Sequence, residues 1–174
     1  MQGGLARFNL LMPLVQRFQR NRTSFIADFL LSGMVVGPIA APLLASSHLL
    51  GMGLIAQIIY FMGAHVCPQP EMGVELSPPW IMAVCMRCYG TVAGLFITRL
   101  LYILEPGKSK IWLHQYGWWG VAIASVLMAA YPIELALQTI GLWNYQNGIV
   151  TVFGLITGLA WGLHGMPVLH GDRA

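Results

Sequence analysis

Residues 25–45, FIADFLLSGMVVGPIAAPLLA, decide the fold class. One acid, Asp28, is the only charge in a run long enough to cross the roughly 30 Å of a bilayer's hydrocarbon core. Composition agrees: hydrophobic residues make up 57% of the chain and charged residues 9%, with a mean hydropathy of +0.68. A soluble domain carries roughly a quarter charged residues. Pro38 and Pro42 each remove a backbone donor from this first span. A kink or broken second half is expected there, tolerated where neighbouring protein satisfies the freed carbonyls.

Outward from this run, further apolar stretches follow at residues 49–63, 80–104, 117–137 and 149–163. The reading is an all-α, polytopic transmembrane helical bundle of about five spans, with the lipid bilayer as its first partner. Before the first span, residues 5–22 place Phe8, Leu11, Met12, Val15 and Phe18 at helical intervals, with Arg7, Gln16, Arg17 and Arg20 largely off that stripe. That pattern is an N-terminal interfacial amphipathic helix. Residues 1–24 are therefore expected as a basic amphipathic segment, and 25–174 as a single transmembrane domain. The formal charge of +3 suits a membrane surface and argues against nucleic acid as a partner.

Five crossings place the N-terminus and the loop after His65 on one side, with the Lys108 loop and the C-terminus opposite. Arg7, Arg17, Arg20 and Arg22 favour a cytoplasmic N-terminus, while Lys108, Lys110 and Arg173 then pull the other way.

The chemistry gathers in residues 65–90, HVCPQPEMGVELSPPWIMAVCMRCYG, which hold all three cysteines. His65-x-Cys67 and Cys85-x-x-Cys88 supply an imidazole and three thiols in two pairs joined by a loop, a layout similar to an altered zinc ribbon. Their convergence at the facing ends of two neighbouring helices would make His65, Cys67, Cys85 and Cys88 a metal set, zinc first, with iron or copper as alternatives. A disulfide between two thiols, or a set of small buried hydrophobes, would use the same residues. Arg87 is expected to lower a neighbouring thiol's pKa or to meet an anionic headgroup.

Elsewhere, Asp28 is an intramembrane acid, and equally one near enough a helix N-terminus to favour its dipole. Glu134 and Gln138 lie one helical turn apart, so their carboxyl and amide can act together, with Glu134 either facing the bundle or wetted near the membrane surface. Gly90 with Gly94, and Gly154 with Gly158, are pairs at the spacing that permits close helix packing. Arg99 is placed to snorkel. His48, His114, His164 and His170 are possible tetrapyrrole ligands, although ordinary interface histidines fit as well, and the residues do not say whether a pigment or quinone binds.

Cys67-Pro68-Gln69, Cys85-Met86-Arg87-Cys88-Tyr89-Gly90 and Pro132-x-Glu134-x-x-x-Gln138, with Asn147, Gly154 and Gly158, resemble the small prokaryotic membrane proteins grouped as domain of unknown function 2085. The resemblance covers roughly the last two-thirds of the chain and is similar to cyanobacterial members. It implies a multi-pass protein of a plasma or thylakoid membrane, and adds Gln69 to the functional positions. Three departures stand out: Pro68 replaces the family's histidine, an Arg-Ser that often follows is missing, and Glu134 replaces an aspartate. His65 is the available substitute for the missing histidine.

Three functions remain open. An accessory or assembly factor of a larger membrane complex, with other subunits as partners, fits the packing motifs. A metal-dependent or thiol-redox enzyme fits the thiols beside Arg87. A small transporter fits Asp28, Glu134 and the proline-bearing first span, with less support because no inverted repeat is evident.

Overall fold

The computed structural model describes the backbone of residues 3–47, 51–104 and 111–170, and the side chains of 24–47, 51–104 and 111–169. Within these, the chain is helical almost throughout. Helix α1 runs over Gly3–Ser46, α2 over Met52–Val66, α3 over Met86–Leu104, α4 over Trp118–Met128, α5 over Ala130–Thr139 and α6 over Asn147–His170. A two-stranded antiparallel hairpin, β1 Glu75–Ser77 and β2 Trp80–Ile81, lies between α2 and α3. Four helical stretches are long and apolar enough to cross a membrane: Ser24–Ser46, Met86–Leu104, Trp118–Thr139 and Asn147–Leu169.

The basic N-terminal segment is the start of α1 and continues as helix into the first span. The helix also continues past both prolines. Pro42 has no N–H to give the carbonyl of Pro38, and the N–H of Ala83 donates to that oxygen instead, at 3.4 Å. Pro42 and Ala41 are buried at this contact, so the loop after α2 takes the place of the missing rung.

The structural spine is the pair α3 and α6. Gly154 and Gly158 have no room for a side chain, because a Cβ on either would strike the carbonyl of Arg87 or of Thr91. Gly90 and Gly94 meet Thr151, Leu155 and Gly158 from the other side, so the two expected glycine pairs face one another. Further along, Thr98 meets Gly162, and Tyr102 clusters with Met166. Residue numbers rise together along the seam, so α3 and α6 are parallel. Helix α1 runs against them: its Pro38 meets Ala83 just before α3, whereas Asp28 accepts from both Nε (2.7 Å) and Nη2 (2.6 Å) of Arg99. Leu31 joins Tyr102, Trp112 and Met166 at that same end.

These contacts correct the expected sidedness. The N-terminal end of the first span, the C-terminal ends of α3 and α6 and the entry to α4 all lie at one end of the bundle. The loop from Cys67 to Cys85, the α5–α6 turn and the starts of α3 and α6 lie at the other. Helix α2 is apolar, but its 15 residues reach only about 22 Å at 1.5 Å per residue. It leaves the turn after α1 and returns to the start of α3, so it stays in the cysteine half and makes no crossing of its own. Counting it as a crossing separated the Lys108 loop from the N-terminus.

Other boundaries shift as well. The third span starts at Met86 rather than near Trp80, because Trp80 and Ile81 are spent in the hairpin. The fourth is divided at Ala129 into α4 and α5, next to Pro132, which lacks an N–H for the helix ladder. The sixth helix carries His164 and Pro167 inside it instead of ending before them. Arg99 does not snorkel. It ties α3 to α1 through Asp28, so Asp28 is an interhelical contact.

Candidate metal centre

Cys67 is the first residue beyond α2, where the backbone turns extended (φ −98°, ψ 127°) while its N–H still donates to the carbonyl of Gly63. Cys85 caps α3: its carbonyl accepts the Tyr89 N–H at 3.0 Å, one helical turn on. Cys88 is then in the first turn, on the same face as Cys85. Both thiols sit at a helix N-terminus, whose partial positive charge favours thiolate.

The three sulfurs converge. Sγ of Cys67 lies 3.3 Å from Sγ of Cys85 and 3.5 Å from Sγ of Cys88, and all three lie within 4.8 Å of one another. The Cys85 N–H also donates to the Cys67 sulfur at 3.3 Å. Hydrogen bonds from the Cys85 and Cys88 thiols, with backbone donors behind them, push the Cys67 thiol well below its usual range. The same bond seen from Cys85, together with burial, pushes that thiol up. Tetrahedral coordination with metal–sulfur bonds near 2.3 Å would set sulfurs about 3.8 Å apart, so three thiols at these distances can hold a metal ion.

His65 does not join them. It is exposed, its Nδ1 lies 2.7 Å from the carbonyl of Phe61, and its ring packs on the Phe61 ring with centroids 4.2 Å apart. The four-ligand set read from H-x-C therefore reduces to three. A fourth donor, an oxygen, is at hand in Tyr131, whose hydroxyl is 3.3 Å from the Cys88 sulfur. Tyr131 stands one position before the Pro132-x-Glu134 pattern, and the sequence carries no spacing signal that pairs it with Cys88.

Arg87 sits beside the thiols, fully buried, and does not reach a headgroup. Its Nε pairs with Oε2 of Glu134, its Nη1 donates to Oε1 of Gln69 at 3.0 Å, and its Nη2 donates to Oε1 of Gln138 at 2.5 Å. Glu134 faces the bundle, and Glu134 and Gln138 do act together, on one guanidinium. The rings of Tyr131 and Tyr145 flank that guanidinium, 5.7 and 6.0 Å from its carbon. Every one of Gln69, Arg87, Glu134 and Gln138 is thus brought into a single cluster, while Asp28 lies at the other end of the bundle.

The loop between the cysteines is held from several helices. Tyr60 of α2 donates to the carbonyl of Ile81 at 2.7 Å, and Tyr145, in the α5–α6 turn, donates to that of Met72 at 3.0 Å. Burial pushes the Tyr145 phenol up, which keeps it a donor. At the opposite end His114 and His164 lie with ring centroids 6.0 Å apart. His48 and the side chain of His170 lie outside the described residues.

Residues 79–164 match a family model described as predicted membrane protein, domain of unknown function 2085. The matched stretch is 86 of the chain's 174 residues. The 2085 domain as matched holds Cys85, Arg87, Cys88, Glu134 and Gln138, whereas Cys67 and Gln69 lie before it and are joined to it only by the fold. No curated protein and no solved structure matches the chain.

Proposed function

We propose that this is a membrane-embedded metal-binding protein in which Cys67, Cys85 and Cys88 are the ligands, zinc is the first candidate ion, and the role is that of an accessory factor within a larger membrane complex. The observation that carries the reading is the meeting of three sulfurs from two separate chain segments. Zinc favours thiolate donors and tolerates four-coordination with one non-sulfur ligand, a place that Tyr131 or a partner group would fill. Binding would displace thiol protons and so depend on pH. Support for an accessory rather than a catalytic role comes from Arg87, whose three nitrogens already have protein acceptors. The polar groups beside the thiols are bound to one another.

The expected result is about one equivalent of metal in the full chain purified anaerobically in mild detergent, and a cadmium–thiolate absorption on substitution. Cys67→Ser is expected to weaken binding by more than the 10–100-fold typical of losing an outer partner of a metal ligand. A thiol-redox reading has one specific observation in its favour, the 3.3 Å between Cys67 and Cys85. A chain that takes up neither zinc nor cadmium but loses two thiols to an intramolecular disulfide on mild oxidation would replace the metal reading with that one.

A further inference from the structure

We propose that the thiol centre faces the non-cytoplasmic side of the membrane, so that the cation it takes is drawn from that compartment. The first half stands on the fold alone, and the second rests on the metal reading. The chain has nine Lys and Arg. Two are paired inside the bundle, Arg87 with Glu134 and Arg99 with Asp28. The other seven are Arg7, Arg17, Arg20, Arg22, Lys108, Lys110 and Arg173.

In sequence, all seven adjoin attachment points that lie at one end. The first four precede Ser24 on α1, Lys108 and Lys110 lie in the connection from Leu104 to Ile111, and Arg173 follows α6. Each of those attachment points belongs to the end defined by Asp28–Arg99 and the Leu31, Tyr102, Trp112 and Met166 cluster. The sequence segments that connect attachment points at the cysteine end, 47–51, 67–85 and 140–146, contain no Lys or Arg and carry Glu71 and Glu75. A bias of seven to none within reach of the span ends is a strong positive-inside signal. Under the five-crossing reading the same residues divided between the two sides. Once α2 is seen to turn back, the signal becomes unanimous.

The test uses the full chain in a bacterial host. Green fluorescent protein fused after Ala174 is expected to fluoresce and alkaline phosphatase fused there to be inactive, since both report a cytoplasmic C-terminus. A protease site inserted between Leu142 and Trp143, both exposed, is expected to be cut by protease added outside intact spheroplasts. A membrane-impermeant arylmercury sulfonate added outside, which bonds to a thiolate sulfur as the thiol proton leaves, is expected to be recovered on the purified chain. An active phosphatase with a dark fluorescent fusion, or cleavage and mercury capture only after permeabilisation, would overturn the orientation whatever the metal content. Correct orientation in a chain that binds no zinc or cadmium would overturn the metal reading and the cation source, and leave the topology standing.

Discussion

Arg87→Ala is expected to destabilise the protein by about 3–5 kcal/mol, the range for breaking a buried ion pair by removing one partner. The side chain is 0% exposed and its partner Glu134 is 1% exposed, so neither has solvent to fall back on. Removing the guanidinium leaves a carboxylate, the Gln69 amide and the Gln138 amide without their donors, and it separates the cysteine loop, α3 and α5 at one stroke. Arg87→Lys is expected to recover only part of the loss, because a single ammonium cannot reach three acceptors arranged for a planar fork. Pairing Arg87→Met with Glu134→Leu removes both charges together and is expected to be milder than Arg87→Ala alone. Thermal unfolding in detergent, followed by circular dichroism and by accessibility of the three thiols, measures all three. An Arg87→Ala protein within about 1 kcal/mol of the parent would mean that Glu134 is hydrated and that the cluster does not hold the loop.

The same cluster explains how a chain with so few polar groups keeps a thiol centre in place. Cys67 belongs to one chain segment and Cys85 and Cys88 to another, and between them lies a loop with little regular structure. Gln69, two residues after Cys67, docks on Arg87, which is one residue before Cys88. The guanidinium therefore fixes both halves of the sulfur set at once, and Tyr60 and Tyr145 pin the rest of the loop to α2 and to the α5–α6 turn. Burying polar groups in hydrocarbon is tolerated where each has a protein partner. Oε1 of Glu134 is one buried atom without such a partner.

How far the sequence could be read depended on whether the signal was local. Membrane character, the helices and the two glycine pairs follow from hydropathy and four-residue spacing, and the structure puts those glycines face to face. The convergence of Cys67 with Cys85 and Cys88 was also legible, since a loop between adjacent helix ends returns the chain to its neighbour. H-x-C spacing does not make His65 a ligand, because His65 is still on α2, where the residue one turn back is Phe61, and only Cys67 has left the helix. The Gln69–Arg87 and Cys88–Tyr131 contacts join positions far apart in sequence and leave no periodicity to detect. The hairpin did leave a trace, the Pro78-Pro79 pair ahead of Trp80, but the apolar run from Trp80 to Val84 masked it. Topology turns on α2 alone: a largely apolar helix of 15 residues is near the lengths that read as re-entrant or buried segments rather than spans, and one miscounted crossing inverts every later loop.

Gly158→Leu is expected to abolish the native α3–α6 contact and with it the accumulation of folded protein. A Cβ at this position would overlap the Thr91 carbonyl oxygen and come within 3.0 Å of Cα of Gly94, closer than ordinary van der Waals contact. Both obstacles are backbone, so no rotamer change relieves them, and the helices must part. Overpacking a core by a few methylenes typically costs about 1–3 kcal/mol when neighbouring side chains can adjust. Here they cannot, and the loss is expected at or beyond the top of that range. Parting α3 from α6 also moves Arg87, whose carbonyl borders Gly154 on the same seam, so the thiol centre is expected to be lost together with the fold. Gly148→Ala, in the first turn of the same helix and with open space around its Cβ position, serves as the control and is expected to leave stability nearly unchanged. Fluorescence size-exclusion chromatography of detergent extracts, with thermal unfolding of whatever folds, reads both variants. A monodisperse Gly158→Leu protein with parental stability and intact metal binding would show that the parallel seam is not what holds the bundle.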